Sequence, residues 1–291
     1  MIRAWLEIAR LSNLPTAWSN MLAAWILAGG KWEFKPLAWL LLGGSLLYTG
    51  GMILNDAADV RFDRTQRPER PIPSGRIKAW QAWLVGLLGM AAGFAMIVIG
   101  SHACIWLSSA LVVAILFYDL YHKPWSGSVF VMGSCRTLLF LASADAAAVD
   151  GLSVFGSWEI EMKSIALGAY IVGLSLMARH ESKPQASGKS LPALAIVGLG
   201  FPMFAAVVSM VFHLNFWPAL FAIVLQLVVL RCLKIARTPP PSNIGRAVGL
   251  SLAAVTLVDG LAISHVNLLA ACLMAACVPL LLLWQKVIAA T

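Results

Sequence analysis

The sequence predicts an all-α, polytopic membrane protein of about nine to ten transmembrane helices. Two observations carry this. Of 291 residues, 60% are hydrophobic and 12% are charged, against a charged share of about 25% in an ordinary soluble domain. Apolar runs near the roughly 20 residues that cross a bilayer as helix recur along the chain. The alternating ten-residue segments of a membrane barrel do not occur. Together these exclude a soluble domain and leave helices as the spanning element.

Taken in order, the first span covers residues 14–30. Asn13, Pro15 and Asn20 interrupt its start and no clear small-residue cleavage site follows, so it reads as a retained helix rather than a signal peptide. A short interfacial segment carrying Arg3, Trp5, Glu7 and Arg10 precedes it. Apolar runs then place spans at 36–57, 79–100, 102–119, 126–145, 163–180, 191–212 and 214–236. The ninth, 246–264, is the weakest because Asp259 lies inside it, and 266–285 closes the chain. Trp32, Trp80, Trp125, Trp158 and Trp284 fall near span ends, where amphipathic rings prefer the headgroup region. Cys104, Cys135, Cys232, Cys272 and Cys277 sit in apolar stretches without zinc-ligand spacing, so their role is packing. Residues 1–291 read as a single transmembrane domain.

Positively charged loops stay on the cytoplasmic side during insertion. With the N-terminus inside, only Lys31, Lys35 and Lys163 fall outside and Arg136 falls within the fifth span; the rest of the 21 basic residues face the cytoplasm. The expectation is a multi-pass inner-membrane protein with a cytoplasmic N-terminus. Its net charge of +8 reports topology and attraction to anionic membrane lipid, not nucleic acid.

The second span runs uncharged from Pro36 to Leu54 and then changes abruptly to Asn55-Asp56-Ala57-Ala58-Asp59-Val60-Arg61-Phe62-Asp63. If the helix continues, Asn55, Asp59 and Asp63 stand four residues apart on one face, with Asp56 one step round. Carboxylates so spaced repel by roughly 0.2 to 0.5 kcal/mol on a wet helix, and by more as water is excluded. A cation relieves this, and a set of hard oxygens without a partnering Cys or His suits Mg2+. The plainer alternative is a solvated helix end whose acids pair with Arg61, Arg64 and Arg67. In the next segment Pro68, Pro71 and Pro73 predict an extended, stiff loop that projects Arg64, Arg67 and Arg70 beside the acids. Acids holding a metal next to guanidinium groups that fork onto phosphate make a diphosphate site at the cytoplasmic face.

A second polar knot, Tyr118-Asp119-Leu120-Tyr121-His122-Lys123-Pro124, offers a point charge at Lys123 and a hydroxyl at Tyr118; each alone also suits an interfacial residue. Arg136, one or two turns inside the fifth span, is costly unless it faces a polar cavity or a partner.

The stretch Asn55–Gly75, NDAADVRFDRTQRPERPIPSG, resembles the first aspartate-rich motif of the UbiA superfamily of intramembrane prenyltransferases, NDxxDxxxD followed by RPxRP and a Ser-Gly turn. The resemblance extends to SNLPTAWSN from Ser12 to Asn20, to Tyr118 and Lys123 in a Tyr-x4-Lys pattern, and to the helical layout. It implies a UbiA-like bundle around a lipid-accessible chamber, and transfer of an isoprenyl group from a prenyl diphosphate to an acceptor that the sequence does not identify. Its motif implies Asn55, Asp56, Asp59 and Asp63 as metal ligands, and Arg67, Arg70 and Lys123 as diphosphate contacts. Asn55, Arg136 and Arg179 join the candidate diphosphate contacts. Asp59, Asp63, Tyr118, Lys123 and Glu181 are the candidate catalytic residues. Allylic ionisation leaves negative charge on pyrophosphate, which Mg2+ and fixed cations stabilise.

The chain departs from the family where a second aspartate-rich motif is expected. It reads Ala178-Arg179-His180-Glu181-Ser182-Lys183-Pro184, with Glu181 as the single acid and a candidate further metal ligand. This resembles a UbiA-like subgroup of bacterial and cyanobacterial biosynthetic clusters, which has a similar Arg-x-Glu pattern. One firmly held Mg2+ and a weaker second ion are expected. Two other classes compete. A prenyl-diphosphate or lipid binder or transporter that has lost chemistry is favoured by the lone Glu181. A CDP-alcohol phosphotransferase is disfavoured by the absence of a DGxxAR element with spaced aspartates.

Overall fold

The structure is a computed structural model and describes residues 2–31, 33–123, 125–148, 156–181, 192–238, 240 and 242–285, with the side chains of His180, Glu181 and Ser242 outside the description. The described residues contain helices and turns only. A short α1 (Ile2–Ile8) and a 3-10 turn lead into α2 (Leu14–Leu27), then the long α3 (Phe34–Ala58) and a two-turn extension α4 (Val60–Gln66). There follow α5 (Ala79–Ala95), which runs on as a π turn over Met96–Gly100, α6 (Ile105–Tyr121), α7 (Ser128–Ala147) and α8 (Trp158–Glu181). The chain closes with α9 (Ala193–His213), α10 (Trp217–Arg237), α11 (Ser242–Ala253), α12 (Val255–Ile263) and α13 (Leu268–Trp284).

Every expected span contains a helix, but the count needs correction. Seven helices among the described residues are long and apolar enough to cross a membrane: 34–58, 79–100, 128–147, 158–179, 193–213, 217–237 and 243–263. Helices 105–121 and 268–284 are apolar but shorter. The first expected span yields only the 14 residues of α2, about 21 Å of helix against a hydrocarbon core of about 30 Å. Its polar residues Thr16, Ser19 and Asn20 are buried inside the bundle.

Close approach of helices rests on glycine. A Cβ at Gly93 of α5 would stand 2.7 Å from the carbonyl oxygen of Gly43 on α3, and one at Gly198 of α9 would stand 2.5 Å from that of Ala169 on α8. Small residues at such crossings let backbones touch where lipid supplies no hydrophobic drive between helices.

The span containing Asp259 is one membrane segment broken at Ala254 into α11 and α12. Asp259 is 1% exposed and faces protein, not lipid: Ser19 of α2 donates its hydroxyl to Oδ2 at 2.6 Å. The break frees backbone carbonyls that hydrocarbon cannot satisfy. Tyr170 of α8 donates to the oxygen of Ser251 at 2.9 Å, and Thr256 donates to that of Ala253 at 3.0 Å. The two larger cores, one around α8, α10 and α12 and one around α2, α3 and α6, are mainly aliphatic, and a smaller one joins α1 to the end of α3 and the loop before α5.

Candidate active site

The apolar stretch of α3 ends in the acidic run. The helix bends at Asp59, although the amide of Asp59 still donates to Asn55 O at 3.0 Å and that of Asp63 to Asp59 O at 2.9 Å. The i,i+4 spacing survives in the backbone, yet the side chains do not converge as one stripe. Asp56 and Asp63, two turns apart, share Arg70, whose Nη1 lies 3.4 Å from Asp56 Oδ1 and 2.9 Å from Asp63 Oδ2. Arg10 adds a second cation to Asp56 at 3.5 Å. Asp59 turns the other way, to Lys123 Nζ at 2.8 Å and His122 Nε2 at 3.4 Å. Burial pushes the Asp59 carboxyl up, but hydrogen bonds from His122 and Lys123 outweigh it and hold the group below its ordinary value. Buried Asn55 approaches the carboxylate of Asp119 on α6.

The loop after α4 is not extended. It folds into successive turns, with the amides of Arg70, Ser74 and Gly75 donating to the carbonyls of Arg67, Arg70 and Ile72, and that of Ile77 to Pro71 O. Three prolines remove donors only at their own positions, so the intervening amides close turns. Gly75, at φ 79, supplies the left-handed turn. Arg76 fastens this loop to the N-terminal helix through Glu7 at 3.1 Å. The result aims Arg70 inward and leaves Arg67 exposed at the rim.

Arg10, Arg70 and His122, the partners of these acids, line a cavity of ≈ 360 Å³, within the 300–1,000 Å³ of typical ligand sites. Leu47, Leu111, Ile115, Leu139, Ile171 and Leu174 form apolar walls, and Arg10, Arg67, Arg70, Tyr118 and Arg179 stand among its polar lining. Arg136 also lines it. Its Nη2 donates to Thr16 at 3.0 Å, its guanidinium lies 5.6 Å from the Tyr48 ring, and its buried Nη1 has no hydrogen-bond partner among the described residues.

The remaining candidates divide. Tyr118 lines the cavity and stacks on His122 at 4.9 Å. Lys123, expected to meet phosphate, is paired with Asp59 and sits 3.7 Å from the centre of the Phe62 ring. Arg179 is largely spent on backbone: it donates to Ser126 O at 2.7 Å, His122 O at 3.0 Å and Trp125 O at 3.3 Å, and also to the Ser128 hydroxyl. It therefore positions the loop that carries His122 and Lys123. Glu181 ends α8, but its side chain, like Ser182, Lys183 and Pro184, lies outside the described residues. Sequence reasoning missed Tyr48, placed Arg10 only in the interfacial segment, and named Asp119 and His122 only as part of the polar knot. Arg10 stands 46 residues from Asp56, a separation that periodicity does not read; its nearness to the SNLPT stretch was the available signal.

The donor set fits Mg2+. Asn55, Asp56, Asp59 and Asp63 offer hard oxygens just behind the cavity lining, and the three carboxylates meet that lining through Arg10, Arg70 and His122.

Comparison with known proteins gives a consistent picture. The sequence model of the UbiA prenyltransferase family matches residues 13–242. A digeranylgeranylglyceryl phosphate synthase of Sulfurisphaera tokodaii is 28% identical over 164 residues, 55% of this chain and 56% of that protein. A 4-hydroxybenzoate octaprenyltransferase of Pseudomonas aeruginosa is 32% identical over 127 residues, 41% of this chain and 42% of that protein. The matched stretch spans about half the length of these relatives. Among solved structures, the apo form of a UbiA homologue from Aeropyrum pernix K1 has a TM-score of 0.68 at 16% identity, covering 87% of this chain and 96% of that one. A UbiA homologue from Archaeoglobus fulgidus bound to GPP and Mg2+ has a TM-score of 0.53 at 14% identity, covering 98% of each. At such identities the structures establish the fold.

Proposed function

The chain belongs to the UbiA prenyltransferase family and is a multi-pass membrane protein, and from that premise we propose that it transfers an isoprenyl group, within the membrane, from a prenyl diphosphate to an acceptor. One observation carries the reading. Acids from α3 and α4 pair with cations from three separate segments, and two of those cations, Arg10 and Arg70, line a cavity whose walls are largely aliphatic. That division suits a substrate with a highly charged head and a hydrocarbon tail. The Archaeoglobus homologue that shares the fold holds GPP and Mg2+, which supports the same substrate class here.

Asn55, Asp56, Asp59 and Asp63 are the residues to hold Mg2+, which when bound supplies positive charge to the departing diphosphate. Arg67 and Arg70 offer forked donors to diphosphate oxygens, and Lys123 a point charge. Tyr48, Tyr118 and His122 line the cavity, and aromatic quadrupoles there would favour a developing allylic cation. The aliphatic walls keep water from that cation. Glu181, on the strength of the sequence motif, completes the candidate catalytic set.

The proposed location is the inner membrane, with the N-terminus and the acidic mouth toward the cytoplasm, because basic residues crowd that end of the bundle. The test uses membranes containing the protein, supplied with radiolabelled prenyl diphosphate and Mg2+. Labelled lipid-soluble product from wild type and none from Asp59→Ala supports transfer. Binding without product, in membranes that contain the natural acceptor, overturns it in favour of a diphosphate-binding protein.

A further inference from the structure

At the opposite end of the bundle, three helix ends bring together titratable groups that the proposed reaction does not use. Glu159 opens α8, His213 closes α9 and His265 follows α12. Glu159 lies 20 residues before Arg179 on the same helix, about 30 Å from the diphosphate mouth at 1.5 Å per residue. Its Oε1 lies 2.7 Å from His265 Nε2 and 3.1 Å from His213 Nε2. One ligand atom from each of the three residues falls within 4.8 Å of the others.

We propose that Glu159, His213 and His265 form a second metal site, for Zn2+ or another imidazole-favouring dication, and that Lys163 competes with the metal for it. Two imidazole nitrogens and one carboxylate, with a fourth position open to water, are a recognised ligand set for Zn2+. Bonds of 2.0–2.2 Å in tetrahedral array set ligand atoms about 3.4 Å apart, so the 3.1 Å pair is close to that spacing, whereas the 2.7 Å pair must open by about 0.7 Å. The site is also shaped for access: the His265 side chain is 3% exposed, whereas that of His213 is 35% exposed and gives the open side. The set differs in chemistry from the all-oxygen Asn55–Asp63 cluster, which suits Mg2+.

Lys163 sits one turn along α8, with Nζ 3.1 Å from Glu159 Oε1 and 3.2 Å from His265 Nδ1, and it also donates to the carbonyl of Ala262. In this arrangement Lys163 supplies the positive charge that Glu159 requires. With Nδ1 of His265 accepting from Lys163, Nε2 carries the proton and faces Glu159. For Nε2 to bind a metal the proton must move to Nδ1 and the ammonium must give up that contact, keeping Ala262. Lys163 thus opposes the dication both by charge and by the tautomer it selects, and removing it should tighten metal binding.

The test uses full-length protein in detergent, purified without a polyhistidine tag, stripped with chelator and titrated with Zn2+ in excess Mg2+, which keeps the acidic end saturated. The readouts are calorimetry and bound metal after gel filtration. Wild type should take up a single Zn2+ per chain. His213→Ala and Glu159→Gln should each weaken binding by at least about tenfold, and Lys163→Gln should bind at least as tightly as wild type. His213→Ala changes the most exposed ligand and is the variant expected to fold normally; its melting temperature is checked alongside. No Zn2+ uptake by wild type, or uptake unchanged in both His213→Ala and Glu159→Gln, overturns the proposal and leaves the cluster as an ion-pair clasp of three helix ends.

Discussion

Replacing Arg70 with Met tests whether the mouth is held by charge compensation. Arg70 bridges Asp56 at 3.4 Å and Asp63 at 2.9 Å; the arginine is 17% exposed and the two carboxylates 9% and 3%. Methionine keeps most of the stem volume and removes the cation. Asp56 retains Arg10 at 3.5 Å, so the loss falls chiefly on Asp63, for which Arg70 is the one ion-pair partner among the described residues. Breaking a buried pair by removing one partner costs about 3–5 kcal/mol. Partial access at the mouth and the surviving Arg10 pair place Arg70→Met near the lower end, at about 3 kcal/mol. Mg2+ should replace much of the missing charge, because the same carboxylates are its candidate ligands. Thermal unfolding in detergent, with and without Mg2+, should therefore show a depressed midpoint for Arg70→Met and a larger upward shift on adding Mg2+ than in wild type. A variant as stable as wild type, or equal Mg2+ shifts in both, would refute the compensation argument.

Three further expectations follow from the same geometry. Arg136→Leu should insert and fold normally yet lose most of the thermal stabilisation that prenyl diphosphate gives wild type; a loss of stability without ligand would instead mark Arg136 as a structural partner of Thr16. Arg179→Lys cannot reproduce four donor contacts to the 122–128 loop, so proteolysis within that loop should accelerate and turnover should fall by about tenfold, since a misplacement of 1 Å can cost 100-fold. Gly198→Val drives a branched side chain into the α8 backbone, which should cost more than about 3 kcal/mol and appear as loss of monodisperse protein on gel filtration.

The spans were legible because apolar length is a property of contiguous sequence. Helix α6 begins at Ile105, not at 102, because His102 adopts φ 62 and turns the chain before the helix can start. The acidic run was also legible as a motif, since its spacing is local. Its pairing was not: Asp56 and Asp63 part from Asp59 because Arg70 and Lys123 approach from opposite sides, and those approaches depend on how two loops fold. Prolines mark that a segment is not helical without distinguishing an extended loop from a chain of turns. Asp259 looked like a weakness in its span because its partner, Ser19, is 240 residues away. The Glu159 cluster was invisible for the same reason, being assembled from the ends of three helices that follow no common periodicity.

The break at Ala254 has a mechanical consequence. Kinked membrane helices often serve as pivots where the freed carbonyls are loosely hydrated, but here Tyr170 and Thr256 occupy the carbonyls of Ser251 and Ala253, and Ser19 fastens Asp259 just beyond. Bending at this point would strip hydrogen bonds in a region without water to replace them. The back of the chamber is consequently stiff at this break.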